Sequence, residues 1–315
     1  MVKKFNNSWS WYDFEDFDLE GLQKIAAEKA QYDLDYWIKK IQETKTNSIV
    51  INTFRPGAEW VGGSLVFRQD LLDKDDNHLF HFFVGEDFLI TSNLEYSLLG
   101  KNDSKYILDE QMENTGNAIE GFSVLLGEVM TSSLIKIDPF EVRLNNLLWK
   151  MKEQNSTEIL EEIYQCRHEL LVLKHLMIPI REIRIALEEA FAERIADKPY
   201  YQRICLKIER GFTIVSDYQA EIDTLINLEE VVSSHRGNEI MKTLTVLTTL
   251  FTPATVLGAI WGMNFKYMPE LEWKYGYLFS FGVIIFSTLL LFGIVKRKGW
   301  SGDILRGKKK NSFFK

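Results

Sequence analysis

The sequence predicts an α+β membrane protein: a cytosolic α/β domain at the N-terminus, a long stalk helix, and two transmembrane helices at the C-terminus. Three observations predict it. Residues 243–265 and 275–295 are apolar runs of 23 and 21 residues without Asp, Glu, Lys, Arg or His, and roughly 20 apolar residues cross a bilayer core as a helix. No proline lies between Pro199 and Pro253, so one helix can run a long way into the first apolar run. Before residue 150, short β-rich segments alternate with turn residues and helical patterns.

The elements follow in order. Residues 1–150 form the predicted α/β domain. Its acidic-aromatic start, from Trp9 to Phe17, reads as a first strand and turn. Glu20–Gln42 carries Leu22, Ile25, Ala26 and Ala30 at helical spacing. Ser48–Phe54, Ser64–Arg68, Leu79–Val84 and Asp87–Thr91 read as strands bounded by Gly, Asn and Asp. Ala118–Ser133 reads as a helix, and nearly everything from Phe140 onward is helical in pattern. Residues 151–198 read as a helical pair, Asn155–Ile178 and Ile180–Ala196, broken at Pro179, with Ile183, Leu187 and Ala190 on one face.

Pro199 stands where a first-turn proline is favoured. A helix from Pro199 to Trp261 has 63 residues, roughly 95 Å at 1.5 Å per residue. Its first part, 199–242, is the predicted stalk. Positions 204, 208, 211, 215, 218, 222, 225, 229 and 232 recur every 3.5 residues, and seven of these nine are apolar. Such a stripe suits a helix packed along its length, against its own domain or against the stalks of other copies.

Charge sets the orientation. Residues 296–315 hold eight Lys or Arg and one Asp, and residues 243–295 sum to zero. Removing that +7 from the total of −8 leaves −15 on residues 1–242. Lys296, Arg297 and Lys298 directly follow the second run, and Lys308, Lys309 and Lys310 lie further on. By the positive-inside rule this tail is cytoplasmic. With two spans, 243–265 and 275–295, the body 1–242 is cytoplasmic too, and the loop 266–274 faces outward. The expected location is the cell (plasma) membrane, multi-pass, with both termini cytoplasmic. No apolar signal segment precedes Glu20, and the only cysteines, Cys166 and Cys205, fit a reduced compartment.

On the first span, positions 241, 245, 248, 252, 255, 259 and 262 read Met, Thr, Thr, Thr, Thr, Ala, Gly. Most of the remaining surface is bulky and apolar, although Thr243 and Thr249 interrupt the separation. A small, hydroxylated stripe suits a face turned to water. It also suits close helix packing through Gly258-x-x-x-Gly262, or threonines bonded to carbonyls one turn back. The second span is bulky nearly all round and reads as lipid-facing. A two-helix hairpin encloses no pore alone, whereas several copies around a cyclic axis do.

The chain resembles the CorA family of magnesium channels and transporters. The matching residues are Asn238-Glu239-Ile240-Met241-Lys242 through Pro253, then Gly262-Met263-Asn264-Phe265, Tyr267-Met268-Pro269-Glu270-Leu271, Trp273, Gly276-Tyr277 and the basic residues at 296–298. The resemblance implies a funnel-shaped homopentamer with the stalk and first span as the inner ring. It implies a selectivity filter at Gly262, Met263 and Asn264. It puts Asn238, Met241, Leu244, Thr248, Thr252 and Thr255 along the conduction path. Many family members carry a bulky apolar residue where this chain has Thr252, so the lower constriction rests on Met241 and Leu244. The resemblance also implies gating by Mg²⁺ bound between cytosolic domains, at residues that no local motif identifies.

The chemistry agrees. Mg²⁺ releases its water reluctantly, and neither span holds an acid to strip it. Amide oxygens of Asn264, with carbonyls near Gly262, accept hydrogen bonds from the ion's waters and hold it weakly. Glu270 and Glu272 in the outer loop attract cations, and Lys266 and Lys274 cancel their formal charge. Mg²⁺ is expected as transported and regulatory ion, with no other cofactor, no nucleotide motif and no nucleic-acid partner. No nucleophile–base or carboxylate constellation marks an enzyme. His78-x-x-His81, and Cys166, His168 and His175, are the sequence's nearest approach to a soft-metal cluster. Two alternatives stay open: transport of Zn²⁺, Co²⁺ or Ni²⁺ by the same superfamily, and a membrane-anchored coiled-coil scaffold without transport.

Overall fold

The computed structural model describes residues 2–5, 9–71, 73, 76–99, 104–153, 157–264 and 266–299. It divides into two compact units, one within residues 1–151 and 156–223, the other within 152–155 and 224–315.

Alternating large apolar residues build the sheet of the first unit. Its strands are β1 (Val2–Lys4), β2 (Ser10–Phe14), β3 (Ser48–Asn52), β4 (Trp60–Gln69), β5 (Asn77–Val84) and β6 (Phe88–Ser92), in the order β1-β2-β6-β5-β4-β3. Only β2 and β6 pair in parallel, from Ser10↔Phe88 to Phe14↔Ser92. Successive side chains of a strand point to opposite faces, and Phe82 and Phe83 divide the core accordingly. Phe83 joins Tyr12, Trp60, Phe88 and Ile90 in a cluster with helices α1 (Leu19–Glu28) and α2 (Leu34–Glu43). Phe82 stacks on Phe122 of α4 (Ala118–Ile135) at 4.8 Å. Val172 and Leu176 of α6 (Thr157–Ile195) pack against Val66. The unit is therefore layered α1–α2, sheet, α4, and α6 packs on α4 and on the β4–β3 end of the sheet. α3 (Ser104–Glu113) packs on α4, and α5 (Ile137–Glu153) follows it.

Four sequence expectations change. The amphipathic segment 20–42 is two helices, because Tyr32 between them turns inward onto Phe83 and Phe88. β4 begins at Trp60, through a Gly62-Gly63 pair that reads locally as a turn. A Cβ at Gly63 would lie 1.9 Å from the Ser48 carbonyl oxygen, so β3 runs where only glycine fits. The expected break at Pro179 does not occur. α6 continues through it because Leu176, Met177, Ile180 and Ile183 on either side are buried, and the backbone departs instead at Phe191 (φ −131°, ψ 17°). The first-span helix ends at Trp261 rather than at residue 265.

That helix is α7 (Pro199–Trp261), 63 residues long. Ile204, Ile208, Val215 and Ile222 of its stripe are buried within this one chain. In the first unit, Gly211 lies against Met130, Leu134 and Met177. Lys207 donates to the Gly127 carbonyl (3.0 Å) and Thr131 Oγ1 (2.8 Å). Over these residues the stripe serves packing on the chain's own domain.

Ala118–Met151, α7 and α9 (Gly276–Arg297) are all long and apolar enough to cross a membrane. The most apolar stretch of the first is 72% buried, against 6% in α7 and 6% in α9. Ala118–Met151 is thus core of the first unit, and the exposed apolar helices are the two expected spans.

His81 gives this unit a pH dependence. It is buried, its Nδ1 lies 2.7 Å from Ser64 Oγ, and burial pushes its pKa down to about 4. The unfolded chain takes up this proton near pH 6.5, the folded chain only near pH 4. The contribution is therefore complete above about 6.5 and lost as pH falls toward 4, to the extent of ~3 kcal/mol. In urea unfolding of the full chain in detergent, followed by tryptophan fluorescence, His81→Gln should lose less stability than wild type between pH 7 and pH 4.5. Equal losses would show that His81 does not carry this dependence.

Candidate ion-conduction face and outer turn

The second unit carries the candidate site. Between Asn238 and Trp261 only Val246 is buried, and α9 buries only Gly276 and Val295. Asn238, Thr248, Thr252 and Thr255 are exposed, as are Met241 (61%) and Leu244 (53%). The hydroxylated face is therefore uncovered by α9.

Each threonine of the face bonds back to its own helix. Thr245 Oγ1 donates to the Met241 carbonyl (2.8 Å), Thr248 to Leu244 (2.9 Å), Thr252 to Thr248 (2.7 Å) and Thr255 to Phe251 (3.0 Å). Thr243 and Thr249, off the stripe, do the same. This is the back-bonding alternative that the sequence left open, and it has a chemical consequence. A hydroxyl whose proton goes to its own helix presents only acceptor lone pairs outward. Such a surface matches the outward-pointing hydrogens of a hydrated cation. Pro253 supplies no N–H to the Thr249 carbonyl, which removes one further donor from this stretch.

At the other end, Gly262 N donates to Gly258 O (3.0 Å) and Met263 N to Ile260 O (3.3 Å). A Cβ on Gly262 would meet Gly258 O at 2.9 Å, so the turn out of the helix requires glycine. Met263 and Asn264 follow it exposed. They stand at the C-terminus of α7, where the last carbonyls and the negative end of the helix dipole favour a cation.

The rest of the hairpin tip is α8 (Pro269–Glu272), with Pro269 in its first turn. Lys266 lies 6.0 Å from the Tyr267 ring, and Trp273 makes edge contacts with Tyr275 and Phe279. Glu272 is exposed, and the Glu270 side chain lies outside the described residues. Lys296 and Arg297 occupy the last turn of α9. Phe265 and Lys308, Lys309 and Lys310 also lie outside the described residues.

The soft-metal residues do not converge. His78 and His81 are three apart on a strand and so face opposite sides. His168 Nε2 contacts the Leu71 carbonyl at 3.2 Å, and Cys166 is buried. Among the described residues no three His, Cys, Asp or Glu side chains are grouped to hold a metal ion.

A compact α/β unit, one very long helix, and two bare apolar helices joined through Gly-Met-Asn define a membrane transporter of the two-span type. The chain belongs to the CorA-like Mg²⁺ transporter family, whose model matches residues 6–297. It is 42% identical over 314 residues to the magnesium transport protein CorA of Bacillus subtilis, covering 98% of this chain and 97% of that one. It is 25% identical over 178 residues to the cobalt/magnesium transport protein CorA of Thermotoga maritima, covering 56% and 51%. Its fold matches the complete structure of the CorA magnesium transporter from Methanocaldococcus jannaschii with a TM-score of 0.64 at 18% identity, over 93% and 92% of the two chains. The family is one of transporters rather than enzymes.

Gly262→Ala should displace the outer turn and reduce ion flux roughly tenfold or more, with surface expression unchanged. Gly282→Ala on α9, where a Cβ meets nothing within 4 Å, is the control. Flux in Gly262→Ala equal to that of the control would remove the turn from the conduction path.

Proposed function

We propose that copies of this chain assemble as a homopentamer around an axis lined by α7 and carry Mg²⁺ through the cell membrane, down the membrane potential. The observation that carries this reading is the C-terminal end of α7. There a glycine-dependent turn presents Asn264 beyond an uncharged stretch of helix whose threonine protons go to its own carbonyls. Gly262, Met263 and Asn264 are the proposed filter, and Asn264 and Gly262 hold the ion through its water. Asn238, Met241, Leu244, Thr248, Thr252 and Thr255 are the proposed lining, with the constriction at Met241 and Leu244. Glu270 and Glu272 draw cations to the outer mouth.

Several facts support it. The Bacillus subtilis relative, similar over nearly its whole length, is a magnesium transport protein. No acid lies in either apolar run, so a hydrated ion is not trapped by carboxylates. An inward-moving divalent ion gains about 4.6 kcal/mol per 100 mV, which is drive enough without ATP. The basic residues at the end of α9 support cytoplasmic termini and an outward-facing loop. Apart from the Met241 and Met263 thioethers, the proposed lining offers oxygen donors. These favour a hard ion over Zn²⁺. The net −15 on residues 1–242 supports feedback, since acidic surfaces brought together need a counter-ion and cytosolic Mg²⁺ provides one.

In liposomes loaded with a Mg²⁺-sensitive dye, Asn264→Ala should abolish uptake while the oligomer still assembles. Wild-type flux in that variant would reject the filter. The same assay with Co²⁺, Ni²⁺ and Zn²⁺, with and without a proton gradient, ranks the ions and separates a channel from a coupled transporter. Millimolar Mg²⁺ on the cytosolic side should protect the segment 199–242 from protease. Identical digestion with and without Mg²⁺ would count against feedback gating.

A further inference from the structure

The two ends of α9 differ in chemistry. At the first, Trp273, Tyr275 and Tyr277 are exposed, and such side chains gather where a bilayer core meets its headgroups. At the second, Lys296 and Arg297 fill the last turn and are exposed. The 22 residues of α9 rise roughly 33 Å at 1.5 Å per residue, and a hydrocarbon core is about 30 Å thick. With the aromatic end in one headgroup layer, the cationic end stands in the other.

The charge at that second end has no counterweight in its own unit. Lys296, Arg297 and Lys298 open the segment 296–315, which nets +7. Elsewhere in the second unit, Lys266 and Lys274 match Glu270 and Glu272, and Lys152 matches Glu153. Glu229, Glu230 and Glu239 exceed Arg236 and Lys242 by one. The rest of the unit therefore offers −1 against +7. Among the described residues neither Lys296 nor Arg297 forms an ion pair. Residues 300–315 lie outside the described residues. Their sequence places Trp300, Phe313 and Phe314 around Lys308, Lys309 and Lys310, so apolar rings accompany the cations.

We propose that the segment 296–315 binds anionic phospholipid headgroups of the leaflet into which α9 emerges. A run of Lys and Arg directly after a span is attracted to a negative membrane surface, and rings that enter the headgroup boundary add apolar contact. The competing partner is the chain's own acidic part, residues 1–223, which nets −14. Lys296 and Arg297 favour lipid, because the span itself holds them at headgroup level and the contact needs no further ordering. The inference requires α9 to cross a bilayer, and neither the pentamer nor the ion path. Its failure would leave the proposed conduction standing.

The test is electron spin resonance on the full-length protein in phosphatidylcholine vesicles, with spin-labelled phosphatidylglycerol and spin-labelled phosphatidylcholine as probes. The phosphatidylglycerol probe should associate about fivefold more strongly, the factor contributed by one Lys or Arg near an anionic surface. Molar salt should reduce that preference. Two triple variants divide the segment: Lys296→Gln, Arg297→Gln, Lys298→Gln, and Lys308→Gln, Lys309→Gln, Lys310→Gln. Loss of preference in either supports the proposal and assigns the contact to that half. Circular dichroism and unchanged association of the phosphatidylcholine probe confirm that each variant is folded and inserted. The proposal is overturned if wild type associates equally with both probes, as it would with the segment held by the acidic residues 1–223. It is also overturned if both folded variants keep the wild-type preference.

Discussion

A helix crossing a bilayer must satisfy its own polar groups, and α7 does so at every threonine of its span. The hydroxyl protons go to carbonyls one turn back. That constraint shapes the rest of the site. A face that needs no donor or acceptor from a neighbour is free to border water. What it offers outward is oxygen lone pairs, which suit the hydration shell of a cation. Fixed carboxylates there would hold a divalent ion too tightly, and the span has none.

The ends of the span follow from the same limits. The chain leaves helical geometry just past α7, at Gly262, where a side chain would strike the Gly258 carbonyl. The turn that results carries Asn264 past the helix C-terminus, where the helix dipole adds a negative potential. At the far end of the hairpin, Lys296 and Arg297 close α9. Charge is thus kept to the margins of the hairpin and concentrated, with opposite sign, in residues 1–242. An acidic body on the same chain as an uncharged span suits the proposed feedback by cytosolic Mg²⁺.

The sequence was most legible where chemistry is absent. Two runs without charge and a long stretch without proline were enough to anticipate α7 and α9, and Gly-Met-Asn marked the turn. It was least legible where tertiary packing overrides local preference. Pro179 reads as a break, yet buried neighbours on both sides carry the helix across it. Gly62-Gly63 reads as a turn, yet it is a strand pressed against the Ser48 carbonyl. The 3.5-residue stripe of α7 fitted two partners, and only the fold showed Ile204, Ile208, Val215 and Ile222 buried in their own chain. The hydroxyl stripe itself was visible, but not the direction of its protons, which depends on helical geometry.

The central claim is that the threonine face of α7 borders a shared water-filled axis while α9 faces lipid. Thiol accessibility during flux tests it most directly. With Cys166 and Cys205 replaced by serine, Thr252→Cys and Phe286→Cys proteins are reconstituted and treated with a membrane-impermeant, thiol-reactive cation. The account predicts that modification blocks Mg²⁺ flux through Thr252→Cys and leaves Phe286→Cys unaffected. Unchanged flux through a Thr252→Cys protein shown to be modified, or block only through Phe286→Cys, would contradict it.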